Sequence, residues 1–117
     1  MNRPLTVDAV VFDAAAVAGR PTVRLDGLSA ARSALLWRSG QSVAGVMYVD
    51  PNGELEPHGH RHAEHHMWIL DGHATVLGRH LGPGAYVHIP AGVDHGISGV
   101  GPEGCRFFYL YIEEPEG

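Results

Sequence analysis

The stretch from Gly53 to Gly99 constrains this chain more than any other. It carries His58-Gly-His60 and His65, then Trp68-Ile-Leu-Asp-Gly72, and after a gap Gly84-Ala-Tyr-Val-His-Ile-Pro90-Ala-Gly92-Val-Asp-His95. Nine histidines in 117 residues is heavy usage, and they crowd between positions 58 and 95. A His-x-His pair in extended backbone puts both rings on one face, roughly 6.6–6.8 Å apart along the strand, close enough to converge on one ion. Zinc, iron, copper, nickel and manganese all accept imidazole. A third ligand must then come from an adjoining strand, and a fourth from elsewhere in the same scaffold. The apolar runs beside each cluster are short and are broken by Gly and Pro, so that scaffold is expected to be β.

Composition agrees. Apolar residues make up 44% and charged residues 18%, the balance of an ordinary globular domain. The 16 Gly and 8 Pro are dispersed as punctuation, which favours many short strands and tight turns over a helical bundle. The net charge is −5 and there is no lysine, so Schiff-base chemistry is excluded. The scattered arginines form no basic stripe, so nucleic acid is not an expected partner. Cys105 is the only cysteine, which rules out an intrachain disulfide and fits a reducing compartment. No segment approaches the ~20 apolar residues of a membrane span. The expectation is a soluble, cytoplasmic protein with no membrane partner.

Along the chain, Val7–Phe12 reads as a first strand. Asp13–Gly19 is Ala-rich and fits either one helical turn or an extended arm. Residues 22–25 alternate as a short strand, and Ser29 can cap a single turn over 29–32. Strands follow at 34–38, 42–49, 54–60, 64–70, 73–78, 85–89, around His95, and at 106–112, with 113–117 as a frayed acidic tail. Asp50-Pro-Asn-Gly53 is a strong turn sequence, and Asp71-Gly72 reads as the turn of a hairpin joining 64–70 to 73–78. A second hairpin-like unit is expected over 85–97. In the strand 64–70 both faces carry bulky side chains, with Met67, Ile69 and Asp71 on one and His66, Trp68 and Leu70 on the other, so it is expected to be covered on both sides. Strands at this density imply a sandwich or barrel.

The two clusters together resemble the paired motifs of a small single-domain cupin. The first family motif is Gly, five residues, His-x-His, three or four residues, Glu, six residues, Gly; here stand Gly53, His58, His60, His65 and Gly72. The second is Gly, five residues, Pro-x-Gly, two residues, His, three residues, Asn; here stand Gly84, Pro90, Gly92, His95 and Gly99. The chain departs in three places: Gly53 is one residue too close to His58, Gly99 replaces Asn, and His65 stands where the family usually has Glu. The resemblance implies an all-β, cupin-type jelly-roll barrel, one domain over 1–117 with an N-terminal arm at about 1–30 and a barrel at about 31–112. It also implies one divalent transition metal ion (Fe, Mn, Zn, Ni or Cu) held by His58, His60, His95 and position 65. Glu64 is the alternative to His65 as ligand, although strand alternation points it to the opposite face.

An octahedral ion with four protein ligands keeps two open positions. Open sites are catalytic where closed tetrahedral ones are structural. The family resemblance suggests a small mononuclear metalloenzyme, dioxygenase-like, acting on a small anionic or dicarbonyl substrate. A zinc-dependent isomerase or cyclase and a non-catalytic small-ligand-binding module are the alternatives. Four imidazoles add no negative charge, so the ion would keep its full +2 and favour an anionic partner. Glu64 is the candidate proton shuttle. Met47, Met67 and either Phe108 or Tyr109 are candidate pocket walls, and Arg38 or Arg106 could hold a second anionic group. His62 and His66 are expected at the surface or behind the ligands, and His73, His80 and His88 at the surface or in subunit contacts. Small cupins usually pair, and Val7–Phe12 could add to a partner's sheet edge, so a homodimer is expected.

Overall fold

The computed structural model describes residues 9–25, 28–58 and 63–113, His58 by its backbone alone. One helical turn, α1 (Ala14–Ala18), precedes the strands. Its first turn is capped by the Asp13 carboxylate, which accepts from Ala16 N at 2.8 Å and so satisfies a backbone donor that the helix leaves open. The strands are β1 (Val23–Leu25), β2 (Leu28–Ser39), β3 (Ser42–Val49), β4 (Leu55–His58) and β5 (Ala63–Gly72). They continue with β6 (Ala74–Val76), β7 (Arg79–Leu81), β8 (Tyr86–Ile89), β9 (His95–Ile97) and β10 (Cys105–Glu113). No helix among the described residues is long and apolar enough to cross a membrane.

Every strand pairing is antiparallel. Six strands form one sheet in the order β1-β2-β3-β10-β5-β8. The pairs β4-β9 and β6-β7 form the opposite layer, joined by a bridge between Thr75 and Ser98. After β3 the chain alternates between the layers, except at the β6–β7 hairpin, so β5 pairs with β10 and β8 rather than with its sequence neighbour β6. This is the all-β cupin-type barrel that the family resemblance implied.

Period-two burial places the core between the layers. On β5, residues 65, 67 and 69 are buried and 66, 68 and 70 are not; on β10, residues 105, 107 and 109 alternate in the same sense. Met47, Met67, Ile69, Phe107 and Tyr109 meet Leu55, Val76, Ile89 and Ile97 in one cluster. Gly45 has a specific task there. A Cβ on it would stand 2.6 Å from both Ala34 O and the Tyr109 hydroxyl. Its bare backbone lets the Tyr109 ring lie across β3 and reach Ser33 Oγ at 2.6 Å.

Several expectations are revised. Residues 9–12 are not a strand, and Val10 and Val11 are exposed; residues 7 and 8 lie outside the described residues. The Asp13–Gly19 alternative resolves to a helical turn. The turn expected at 29–32 is instead the start of β2, because those residues find ladder partners in β1 and β3. Asp71-Gly72 does not turn a hairpin: both residues continue β5 against Arg106 and Cys105. The tight hairpin lies one step later, where Leu77 (φ 49°) and Gly78 (φ 79°) join β6 to β7. Both residues adopt positive φ, the geometry of the turn that matches strand twist. A bulge at the β5–β10 ladder leaves Leu70 without a directly opposite residue, so Asp71 turns outward, away from the Met67 and Ile69 face, and pairs with Arg106. The outer face of β5 is also not covered among the described residues: Trp68 and Leu70 are each 37% exposed.

Two outcomes follow. Gly45→Ala should displace the Tyr109 ring and lower stability by about 1–3 kcal/mol, as overpacked core sites do, measurable by urea denaturation. Burial, with Asp71 adding to it, pushes the Cys105 thiol up from 9.0 to about 11. The unfolded thiol ionises first, so stability holds below pH 9.0 and falls as pH rises toward about 11. Between pH 9.0 and 10.0, before unfolded tyrosines ionise, that decline should be flattened in a Cys105→Ala variant.

Candidate metal centre

Between the two layers lies a cavity of about 290 Å³. Its walls are largely apolar: Leu25, Leu28, Met47, Leu55, Ile97 and Phe107. Its polar groups are Ser33, His65, His95, Tyr109 and Tyr111. Each arrives by strand alternation. His65 lies on the inward face of β5, His95 opens β9 from the other layer, and Tyr109 and Tyr111 are successive inward residues of β10.

His65 and His95 are both 4% exposed. His65 Nδ1 and His95 Nε2 stand 3.0 Å apart. Two imidazole nitrogens each about 2.1 Å from one ion at a right angle would stand about 3.0 Å apart, so this hydrogen-bonded pair also has the spacing of adjacent ligands. His95 Nδ1 lies 3.1 Å from Val93 O. A carbonyl only accepts, so Nδ1 carries the proton and the Nε2 lone pair faces His65, the orientation that a metal-ligating histidine needs. Tyr111 packs edge-on against His65 with ring centroids 4.5 Å apart, and Tyr109 lies 5.0 Å from Tyr111. Burial first, then the neighbouring Tyr109, pushes the Tyr111 phenol well above its ordinary range, so it stays protonated at any working pH.

His58 ends β4 directly opposite His95 in the antiparallel register, which brings its backbone to the cavity's histidine end. Its side chain, and all of His60 and His62, lie outside the described residues. The described donors, buried imidazoles converging from two layers, fit a divalent transition metal.

Glu64 does not belong to this constellation. It faces out from β5, with Oε1 2.5 Å from His88 Nε2, so it has no path to the cavity as ligand or as proton shuttle. Of the candidate walls, Met47 and Tyr109 line the cavity; Met67 is fully buried in the core without lining it. Phe108 points outward and meets Trp68 at 5.5 Å. Arg106 is bound to Asp71, and neither it nor Arg38 lines the cavity. Ser33, Phe107 and Tyr111 line the cavity as well. The signal for the last two was already there: once Tyr109 is inward, period two makes 107 and 111 inward as well.

No protein-family model matches the chain, and no curated protein matches it. Solved structures do. The polyketide cyclase RemF from Streptomyces resistomycificus is 25% identical with a TM-score of 0.72, over 90% of this chain and 83% of that one. An RmlC-like cupin from Shewanella frigidimarina is 22% identical with a TM-score of 0.69, over 85% of this chain and 88% of that one. A protein from Thermotoga maritima described as a predicted oxalate decarboxylase is 16% identical with a TM-score of 0.73, over 83% of this chain and 96% of that one. With two antiparallel layers enclosing a histidine-lined cavity and these neighbours in structure, the chain is a small cupin-fold protein.

Proposed function

We propose that this protein is a mononuclear metal-dependent cyclase or isomerase acting on a small, apolar, enolisable dicarbonyl. The observation that carries the reading is the cavity itself: apolar walls, two buried imidazoles 3.0 Å apart, and phenols beside them. His65 and His95 would hold the ion, with His58 and His60 as the proposed remaining ligands. A divalent ion held there supplies Lewis acidity toward an enolate without redox change.

The chain's own groups do the rest. Leu25, Leu28, Met47, Leu55 and Phe107 seat the apolar part of the substrate and exclude water. The volume is at the small end of the ~300–1,000 Å³ typical of ligand pockets, so the substrate is small or only partly enclosed. The Tyr111 phenol, kept protonated by burial, donates a hydrogen bond to the developing enolate oxygen. The Ser33–Tyr109 hydroxyl pair, 2.6 Å apart, orients a second carbonyl. All four proposed ligands are neutral, so a divalent ion held there would keep its charge and would favour an enolate over the neutral ketone. Similarity to a polyketide cyclase over 90% of the chain supports this choice. The dioxygenase-like reading rests on family resemblance alone, and no oxygen-specific feature of the cavity favours it.

Two measurements test the proposal. His95→Ala should remove the tightly held cavity ion while leaving the fold intact, read by elemental analysis and circular dichroism; full retention of that ion would sink the ligand assignment. With cobalt(II) loaded, enolisable β-dicarbonyls should perturb the visible spectrum while neutral analogues of the same shape should not. Oxygen uptake by the iron(II) form with the same compounds would instead favour a dioxygenase, and tight binding without turnover would favour a non-catalytic module.

A further inference from the structure

We propose that Glu64, His66 and His88 form a second divalent-metal site, on the outer face of the large sheet, separate from the cavity. The placement follows from register. His66 and His88 are directly opposite on the adjacent strands β5 and β8, and Glu64 precedes His66 by two, on the same face. One ligand atom from each of the three lies within 4.8 Å of the others.

The donors are already arranged. The two imidazoles stack with centroids 4.8 Å apart and planes 28° from parallel. His88 Nε2 stands 2.5 Å from Glu64 Oε1. His66 Nδ1 is 2.6 Å from the Tyr86 hydroxyl, a partner that fixes the ring orientation. Trp68 stacks behind His66 at 6.3 Å. A pair as exposed as His88 and Glu64, at 40% and 43%, contributes little as an ion pair alone. The same exposure gives an ion access and lets it keep water on its outer side. Two imidazoles and one carboxylate select a transition metal such as zinc, nickel or copper over calcium or magnesium. Unlike the cavity set, this one includes a negative charge. Its ion would clamp the edge strand β8 to β5 on the reverse side of His65.

Trp68 makes the site readable. In a Trp37→Phe background it is the sole tryptophan. Chelator-stripped protein titrated with copper(II) should then show saturable quenching of Trp68. His88→Ala and Glu64→Gln should each weaken that quenching phase by about tenfold or more, while His95→Ala, which alters only the cavity, should leave it in place. Zinc should raise the thermal midpoint of His95→Ala but not of a His88→Ala/His95→Ala double variant. Quenching unchanged in His88→Ala, or abolished in His95→Ala, would overturn the outer site. An unfolded His88→Ala would be recognised by circular dichroism, and Glu64→Gln then decides alone. Because the cavity ion is scored separately through His95, loss of one site does not count against the other.

Discussion

The alternation of β5 from His65 to Leu70, locked between β10 and β8, is the constraint on which the rest depends. β10 fixes its register from one side, Tyr109 against Met67 and Tyr111 against His65. β8 fixes it from the other, Val87 against Met67 and Ile89 against His65. A slip of one residue would exchange the faces wholesale: Glu64, His66 and Trp68 would enter the cavity, and His65, Met67 and Ile69 would meet water. Burying three polar or amphipathic groups while exposing Met67 and Ile69 is disfavoured, and it would carry His65 away from His95. The site and the core are therefore specified by the same hydrophobic pattern.

The cavity survives because small residues are spent beside it. Gly45 leaves space for the Tyr109 ring, and the bulge at Leu70 turns Asp71 outward to Arg106, so that a carboxylate does not enter the apolar interior. With that carboxylate outside and Glu64 facing His88, the described cavity lining contains no acidic residue. Its polar groups are imidazoles, phenols and one hydroxyl, a set that can present lone pairs to a cation and donate hydrogen bonds to an anion.

Much of this was legible in the residues. The all-β class, the turn at Asp50–Gly53 and the bounds of β3 follow from alternation and from Gly and Pro punctuation, and the inward placement of His65 and His95 from the resemblance of the paired motifs. What could not be read was which strand pairs with which. Asp71-Gly72 looks like a hairpin turn, yet β5 continues through it because its ladder partner β10 lies more than thirty residues later. That non-local choice also decides the parity of β10. Without the register of β10 against β3 and β5, Phe108 and Tyr109 are equivalent candidates. With it, Phe108 joins Trp68 outside and Tyr109 reaches Ser33 inside. The outer cluster escaped for the same reason: His88 and His66 are twenty-two positions apart, and only the β5–β8 register makes them neighbours.

The exchange of Glu for His at position 65 gives the proposed cavity site its character. A carboxylate there would cancel part of the ion's charge and offer a base within the coordination sphere. An imidazole does neither, so charge compensation is left to whatever enters the cavity. Tyr111 is in position to donate a hydrogen bond to it, in edge contact with His65 and held protonated by burial. A protonated phenol beside an uncompensated cation stabilises an oxygen anion from two sides, by hydrogen bond and by charge, in a medium where both interactions are stronger than in water. Enolisation generates that anion at a carbonyl oxygen. The apolar walls that strengthen both interactions would penalise a permanently charged substrate on entry. The combination therefore favours a molecule that enters neutral and becomes anionic only at the histidine end, which is the behaviour of an enolisable dicarbonyl and not of a preformed carboxylate.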